Sequence, residues 1–229
     1  MIRRLSTGGT NDPFLPHLLA TIRRADQVDL AVAFIKRSGL DLLFDALRET
    51  IEDRGGRLRV LTSDYLDVTD PAALRQLMLL AERGADVRLF EAGDQSFHLK
   101  TYICVQSQDG RETWGSAFVG SSNISRTALT NGLEWNFQVE KRSTEADAVP
   151  CAHELREIRT AYQVLFDDSR ARHLTHAWID AYEARRKVQR LPIAPTPTIR
   201  RNRRRNPPRS RRKPSRRWRR AGMPAIRGA

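Results

Sequence analysis

The fold turns on "VDLAVAFIKRSGLDLLFDALRETIEDRGGRLRVLTS", residues 28–63. Residues 28–35 are a nearly continuous apolar run, as a strand buried on both faces would be. Leu40, Leu43, Phe44, Leu47 and Ile51 then recur at helical spacing, which predicts an amphipathic helix over 38–56 ended by Gly55-Gly56. "RLRVLTS" (57–63) reads as a second strand. Working outward, "NDPFLPHLLATIRRA" (11–25) predicts a helix before this unit. "TDPAALRQLMLLAERGA" (69–85) predicts one after it, with Thr69 or Asp70 as N-cap and Pro71 at its first turn. "DVRLF" (86–90) is a third strand. Strands alternating with helices predict an α/β fold with a mixed, mainly parallel sheet flanked by helices.

The alternation then breaks. "FHLKTYICVQ" (97–106), a turn at "SQDG" and "TWGSAFVGS" (113–121) read as a hairpin; a loop and a further strand, "LEWNFQVE" (133–140), follow. Residues 152–187 return to helical periodicity, with Leu155, Ile158, Tyr162, Leu165, Trp178, Ile179 and Tyr182 on the repeat. From 191 onward the composition turns to Pro, Thr and Arg, and no structure is predicted there. One domain over 1–190 and a disordered tail over 191–229 are expected.

The net charge of +13 is concentrated in that tail. Residues 200–229 hold 14 of the 40 Lys and Arg and no acid, leaving 26 basic residues against 27 acidic ones elsewhere. The tail reads either as an Arg-rich nucleic-acid arm or as the product of a frameshift, since Arg and Pro codons read in another frame encode Ala, Glu and Leu. Cys104 and Cys151 have no Cys or His at metal spacing, which suits packed free thiols and a reducing compartment. No run is long enough for a membrane helix and the first residues lack a signal-peptide apolar region, so a cytoplasmic location is expected.

Three segments carry chemistry. His98-x-Lys100 places an imidazole and an ammonium on one face of a predicted strand. "FVGSSNIS" brings Gly120, Ser121 and Asn123 to the end of the next, and "NGLEWN" brings Asn131, Glu134 and Asn136 to the start of the one after. Such a set can cleave a phosphodiester: a neutral His attacks phosphorus, Lys, Asn and Ser neutralise the developing charge, and a carboxylate holds the imidazole. No metal or other cofactor is required by it. Trp114 and Trp135 read as core. His173 and His176, three apart on a predicted helix, read as a solvated face.

These segments resemble the His-x-Lys, Gly-Ser-x-Asn and downstream Glu signature of the phospholipase D superfamily. The stretch from about 5 to 190 also resembles the phospholipase D-like module at the N-terminus of certain bacterial DEAD/DEAH-type helicases. The resemblance implies His98 as nucleophile, Lys100, Ser121 and Asn123 as phosphate ligands and Glu134 as the residue orienting the imidazole. Because only one motif is present, it implies a homodimer in which a second His98 protonates the leaving oxygen. One position departs: the signature has Asp five residues after the Lys, a structural more than a chemical residue in family nucleases, and here it is Val105. The function implied is a metal-independent phosphodiesterase acting on nucleic acid, DNA before RNA. The alternatives are a non-catalytic nucleic-acid-binding module of the same fold and a lipid phosphodiesterase.

Overall fold

The computed structural model describes residues 2–142 and 148–189. The predicted tail lies outside the described residues, as does the environment of Cys151. Eight strands form one sheet in the order β1-β7-β6-β5-β2-β3-β4-β8. They are β1 (Ile2–Ser6), β2 (Gln27–Val32), β3 (Arg57–Ser63), β4 (Asp86–Phe90), β5 (Lys100–Gln108), β6 (Arg111–Gly120), β7 (Asn136–Arg142) and β8 (Ala171–His173). The helices are α1 (Phe14–Arg24), α2 (Arg37–Leu40), α3 (Phe44–Glu52), α4 (Pro71–Ala81), α5 (Arg126–Thr130), α6 (Ala148–Phe166) and α7 (His176–Gln189).

The sheet is mixed, as expected, but its parallel part is confined to β2-β3-β4. The other five pairings are antiparallel. The expectation of a mainly parallel sheet is corrected by connection length. A further parallel strand needs a crossover of roughly a dozen residues or more that returns the chain to the starting end of the sheet. Only residues 91–99, with no helix among them, join β4 to β5. β5 therefore starts at the end where β4 stops, runs back beside β2, and the hairpin to β6 continues in the same sense.

The sheet separates two cores. One face packs Phe14, Leu18 and Ile22 of α1, Leu47 of α3, Leu74 and Leu77 of α4 and Ile179 and Tyr182 of α7 against Leu30, Val60, Tyr102 and Phe118. The other packs Leu155, Tyr162 and Phe166 of α6 against Ala31, Ile103, Val105 and Ala117. β2 is buried along both faces, which accounts for its unbroken apolar run. Cys104 is a buried free thiol whose pKa burial pushes well up. No helix among the described residues is long and apolar enough to cross a membrane.

Some predicted elements change extent. The helix expected over 38–56 divides into α2 and α3, which meet at Asp41–Leu43. The C-terminal helical region is two helices with the three-residue edge strand β8 between them, paired to β4. β1 has no counterpart among the predicted strands; it closes the opposite edge by pairing with β7.

Candidate phosphate site

The three motif segments converge at one end of the sheet, where β2 and β6 end and β5 and β7 begin. Lys100 is the first residue of β5 and lies opposite Val32, the last of β2. Gly120, the last residue of β6, lies opposite Asn136, the first of β7. His98 is therefore not within a strand, as the sequence suggested, but in the exposed loop leading into β5. Phe97 before it is buried in the α6-side core against Phe90, their ring centroids 5.0 Å apart, and anchors the loop.

The His98 imidazole meets the edge of Tyr65 at 5.0 Å between centroids, and its carbonyl accepts a hydrogen bond from Lys100 Nζ. Partial burial holds the Lys100 ammonium below its ordinary pKa, with the negative charge of Glu134 working in the opposite direction. The Ser121 hydroxyl donates to Glu134 Oε2 and also accepts from the Trp135 amide at 3.0 Å. Ser121 N donates to Trp135 O at 2.9 Å, so Ser121 is held to the β7 entry on both its main chain and its side chain.

Asn123 is 7% exposed. Its Oδ1 accepts the Phe34 amide at 3.1 Å, and the neighbouring Ile124 carbonyl accepts the Lys36 amide at 2.7 Å. The loop after β6 is thus clamped to the end of β2. With Oδ1 committed, the two N–H donors of Asn123 Nδ2 remain for a ligand, and among the described residues they have no protein partner. Ser125 caps α5 by accepting the Ala128 amide at 3.2 Å.

His98, Lys100, Ser121 and Glu134 are therefore linked by contact or charge, with the His98 ring also against Tyr65, while Asn123 is positioned separately by the segment after β2. The imidazole–carboxylate contact that the resemblance implies for Glu134 is not formed in this structure. Of the remaining motif residues, Asn136 is buried and donates from Nδ2 to Ser122 Oγ at 2.9 Å, and Asn131 ends α5. Both are structural here.

Tyr65 is the residue that sequence reasoning missed. It opens a 3-10 turn, Tyr65–Asp67, in which Leu66 and Asp67 carry positive φ of 56° and 52°. Such backbone is uncommon outside glycine and persists where surrounding contacts impose it. Here Arg185 of α7 bonds Asp64 at 3.1 Å and Asp67 at 2.7 Å, and the Tyr182 hydroxyl donates to Thr69 O at 3.0 Å. A Tyr between Asp64 and Leu66 in a short loop carries no sequence signal of this role.

Val105 does not face the site. It lies five residues along β5 from Lys100, about 17 Å at the usual rise, and an odd separation puts it on the opposite face. It is 1% exposed, within the core under α6. The tryptophans separate: Trp114 is buried and donates to Glu140 at 2.9 Å, but Trp135 is 65% exposed. Trp135 lies just before β7 and is left uncovered, so the expectation of core packing holds only for Trp114. His173 and His176 are exposed and lie 3.2 Å from Asp86 and 3.6 Å from Glu82. Among the described residues no three His, Cys, Asp or Glu side chains group as metal ligands.

Leu99, between His98 and Lys100, lines an apolar cleft of about 200 Å³ with Val119 and with Ile158 and Leu165 of α6. From Val119 an exposed apolar row runs across the sheet through its register partners Phe137 and Leu5.

Residues 18–157 match the family model described as "Cardiolipin synthase, PLD-like domain". Among solved structures, Nuc from Salmonella typhimurium, described as a phospholipase D family member, aligns with 14% identity over 75% of this chain and 98% of its own, at a TM-score of 0.52. NucT from Helicobacter pylori aligns with 17% identity over 75% of this chain and 99% of its own, at a TM-score of 0.50. At these identities the likeness is one of fold. No curated protein sequence matches the chain. With the motif residues gathered at one end of this sheet and more than half of the chain matched, the protein belongs to the phospholipase D-like domain family.

Proposed function

We propose that the protein is a phosphodiesterase acting on nucleic acid through a phosphohistidine intermediate. The carrying observation is the convergence, at one end of the sheet, of an exposed imidazole, a lysine ammonium and the uncommitted amide donors of Asn123. Lys100 and Asn123 bind the phosphate oxygens, and Ser121 supports them. An imidazole nitrogen of His98 attacks phosphorus, the bond to the leaving oxygen breaks, and a second His98 gives that oxygen a proton. Water then attacks the phosphohistidine, returns a proton to the second imidazole and frees His98. No metal enters this scheme. Glu134 holds Ser121 and balances the charge of Lys100.

The second imidazole is proposed to come from a second copy of the chain. The exposed apolar row Leu5–Phe137–Val119 and the neighbouring Trp135 support such an interface, because a monomer gains nothing by exposing a contiguous apolar strip. Nucleic acid is favoured as substrate by the resemblance to helicase N-terminal modules. Burial of Val105 on the far face, away from the motif residues, supports the catalytic reading over that of a binding module without activity.

The test is cleavage of labelled single- and double-stranded DNA in EDTA, beside His98→Ala, with a 32P label trapped on the protein as an acid-labile adduct. Cleavage and adduct, both lost in the variant, are expected. Binding without cleavage, equal in the two proteins, would sink the proposal. Light scattering checks the dimer: a monomer that still cleaves refutes it.

A further inference from the structure

At the opposite end of the sheet from His98, a hollow of about 270 Å³ lies between α6 and the beginning of β3, lined by Arg57, Arg59, Arg156, Arg159, Thr160 and Gln163. It continues past Arg156 and Arg159 into a second hollow of about 230 Å³ that reaches Lys141 and Glu112. The geometry points to this groove as a second site for the phosphodiester backbone, separate from the reacting centre. The inference rests on the nucleic-acid reading above and extends its footprint.

Charge decides the matter. Five cationic side chains line the groove. Asp29 accepts Arg59 at 2.7 and 2.8 Å and has Arg57 at 3.4 Å, and Glu112 binds Arg159. Two carboxylates against five cations leave three positive charges uncompensated. Arg156 and Lys141 have no ion pair among the described residues. Two further acids near the groove are engaged elsewhere: Glu157 lies 3.5 Å from His153, and Asp167 lies 3.7 Å from Arg88. A network serving only the fold would leave no such excess, since every unpaired cation repels its neighbours.

The floor of the groove is fixed before any ligand arrives. Arg59 lies over the rings of Tyr162 and Phe166, at 4.9 Å from each centroid, and donates to Gln163 Oε1 at 2.7 Å. Arg57 and Arg156 rim it with guanidinium donors that Asp29 does not use. Planar guanidinium forks suit phosphate oxygens, and an open trough suits a polymer better than an enclosed small molecule.

Register gives the separation. Arg57 pairs with Gln27, which pairs with Val105, whereas Lys100 pairs with Val32. Five residues of strand are about 17 Å, the rise of roughly five stacked nucleotides. Because α6 crosses between the two ends, only a longer oligonucleotide reaches both.

The test uses the full chain and Arg156→Ala/Lys141→Ala, two side chains outside the reacting centre. The basic tail contributes equally to both proteins. Binding of a fluorescent 20-nucleotide DNA is measured by anisotropy across a KCl series, with cleavage of a four-nucleotide substrate alongside. Removing two phosphate-binding cations lowers the salt slope by about 1.4 and the affinity at 0.1 M roughly 25-fold relative to 1 M, while four-nucleotide cleavage is unchanged. An unaltered slope for the 20-mer overturns the inference, as does an equal loss on both lengths. If polyphosphate of the same charge binds more tightly than DNA in an Arg156-dependent way, the groove serves a different polyanion and the inference also falls. His98→Ala separates the two readings: loss of cleavage with the wild-type slope leaves the groove standing, and a wild type that binds but never cleaves refutes only the proposed chemistry.

Discussion

Replacing Gly120 with Ala examines how the site is built. Gly120 is absent from the positive-φ residues, so its backbone does not demand glycine; space does. A Cβ there would lie 2.2 Å from Trp135 O, 2.5 Å from Asn136 Oδ1 and 2.7 Å from Asn136 Cα. None of these can yield freely. Trp135 O accepts the Ser121 amide at 2.9 Å, and buried Asn136 donates to Ser122 at 2.9 Å. Strands β6 and β7 must part by about 1 Å at the point where Ser121 and Glu134 meet. Overpacking of this kind costs about 1–3 kcal/mol, and two weakened hydrogen bonds add about 1 kcal/mol each, for a total of roughly 3–5 kcal/mol. Gly115→Ala on the same strand is the control. Its Cβ would meet Leu155 Cδ2 at 2.5 Å, the end of a rotatable side chain. A rotamer adjustment costs about 0.5–1.5 kcal/mol, and replacing a strand glycine returns about 0.5–1 kcal/mol, so the net change is under about 1 kcal/mol. Thermal unfolding followed by tryptophan fluorescence reads both, with cleavage measured on the folded fraction. Gly120→Ala is expected to melt roughly 10 °C lower and to lose cleavage, while Gly115→Ala keeps it. Equal stability of the two variants would refute the reasoning.

Three further outcomes follow from the site. Asn123→Asp keeps the acceptor for the Phe34 amide but replaces two donors with a negative oxygen. It should fold with a near-native melting temperature and lose at least about 100-fold in cleavage, the scale of one lost transition-state donor; a loss below tenfold assigns Asn123 to the fold alone. Lys100 titrates below its usual 10.5 because burial disfavours its charged form. That penalty is full below the folded pKa and gone above the unfolded one, so Lys100→Met should melt above wild type at pH 7, with the gap closing toward pH 10.5. A gap constant across that window contradicts the assignment. Arg185→Ala frees Asp64 and Asp67, costing about 1 kcal/mol on the scale of exposed pairs. If the Tyr65 turn positions His98, kcat falls with KM little changed; an unchanged kcat makes the turn structural only.

The alternation of residues 28–90 was readable because each element carries its own period. A two-sided apolar strand such as β2 and an amphipathic helix such as α4 announce themselves locally. The candidate site was readable for a similar reason: His98, Lys100, Ser121, Asn123 and Glu134 sit at spacings that short backbone segments preserve. What was not readable depends on partners distant in sequence. β1 and β8 are edge strands created by pairing with β7 and β4, and three residues of β8 have no period to detect. The antiparallel entry of β5 followed from the end of the sheet at which β4 stopped. Exposure of Trp135, the contact of Tyr65 with His98 and the assembly of an arginine groove from β3 and α6 all depend on which faces the packed layers leave open. The sequence by itself determined most of the helices and the parallel core, and marked the candidate phosphate-site residues, since those rest on local periodicity and on motif spacing. Only the tertiary structure decided sheet order, which cations remain unpaired and that Val105 belongs to the core rather than the site, because a residue's surroundings are set by contacts between segments and not by its neighbours in the chain.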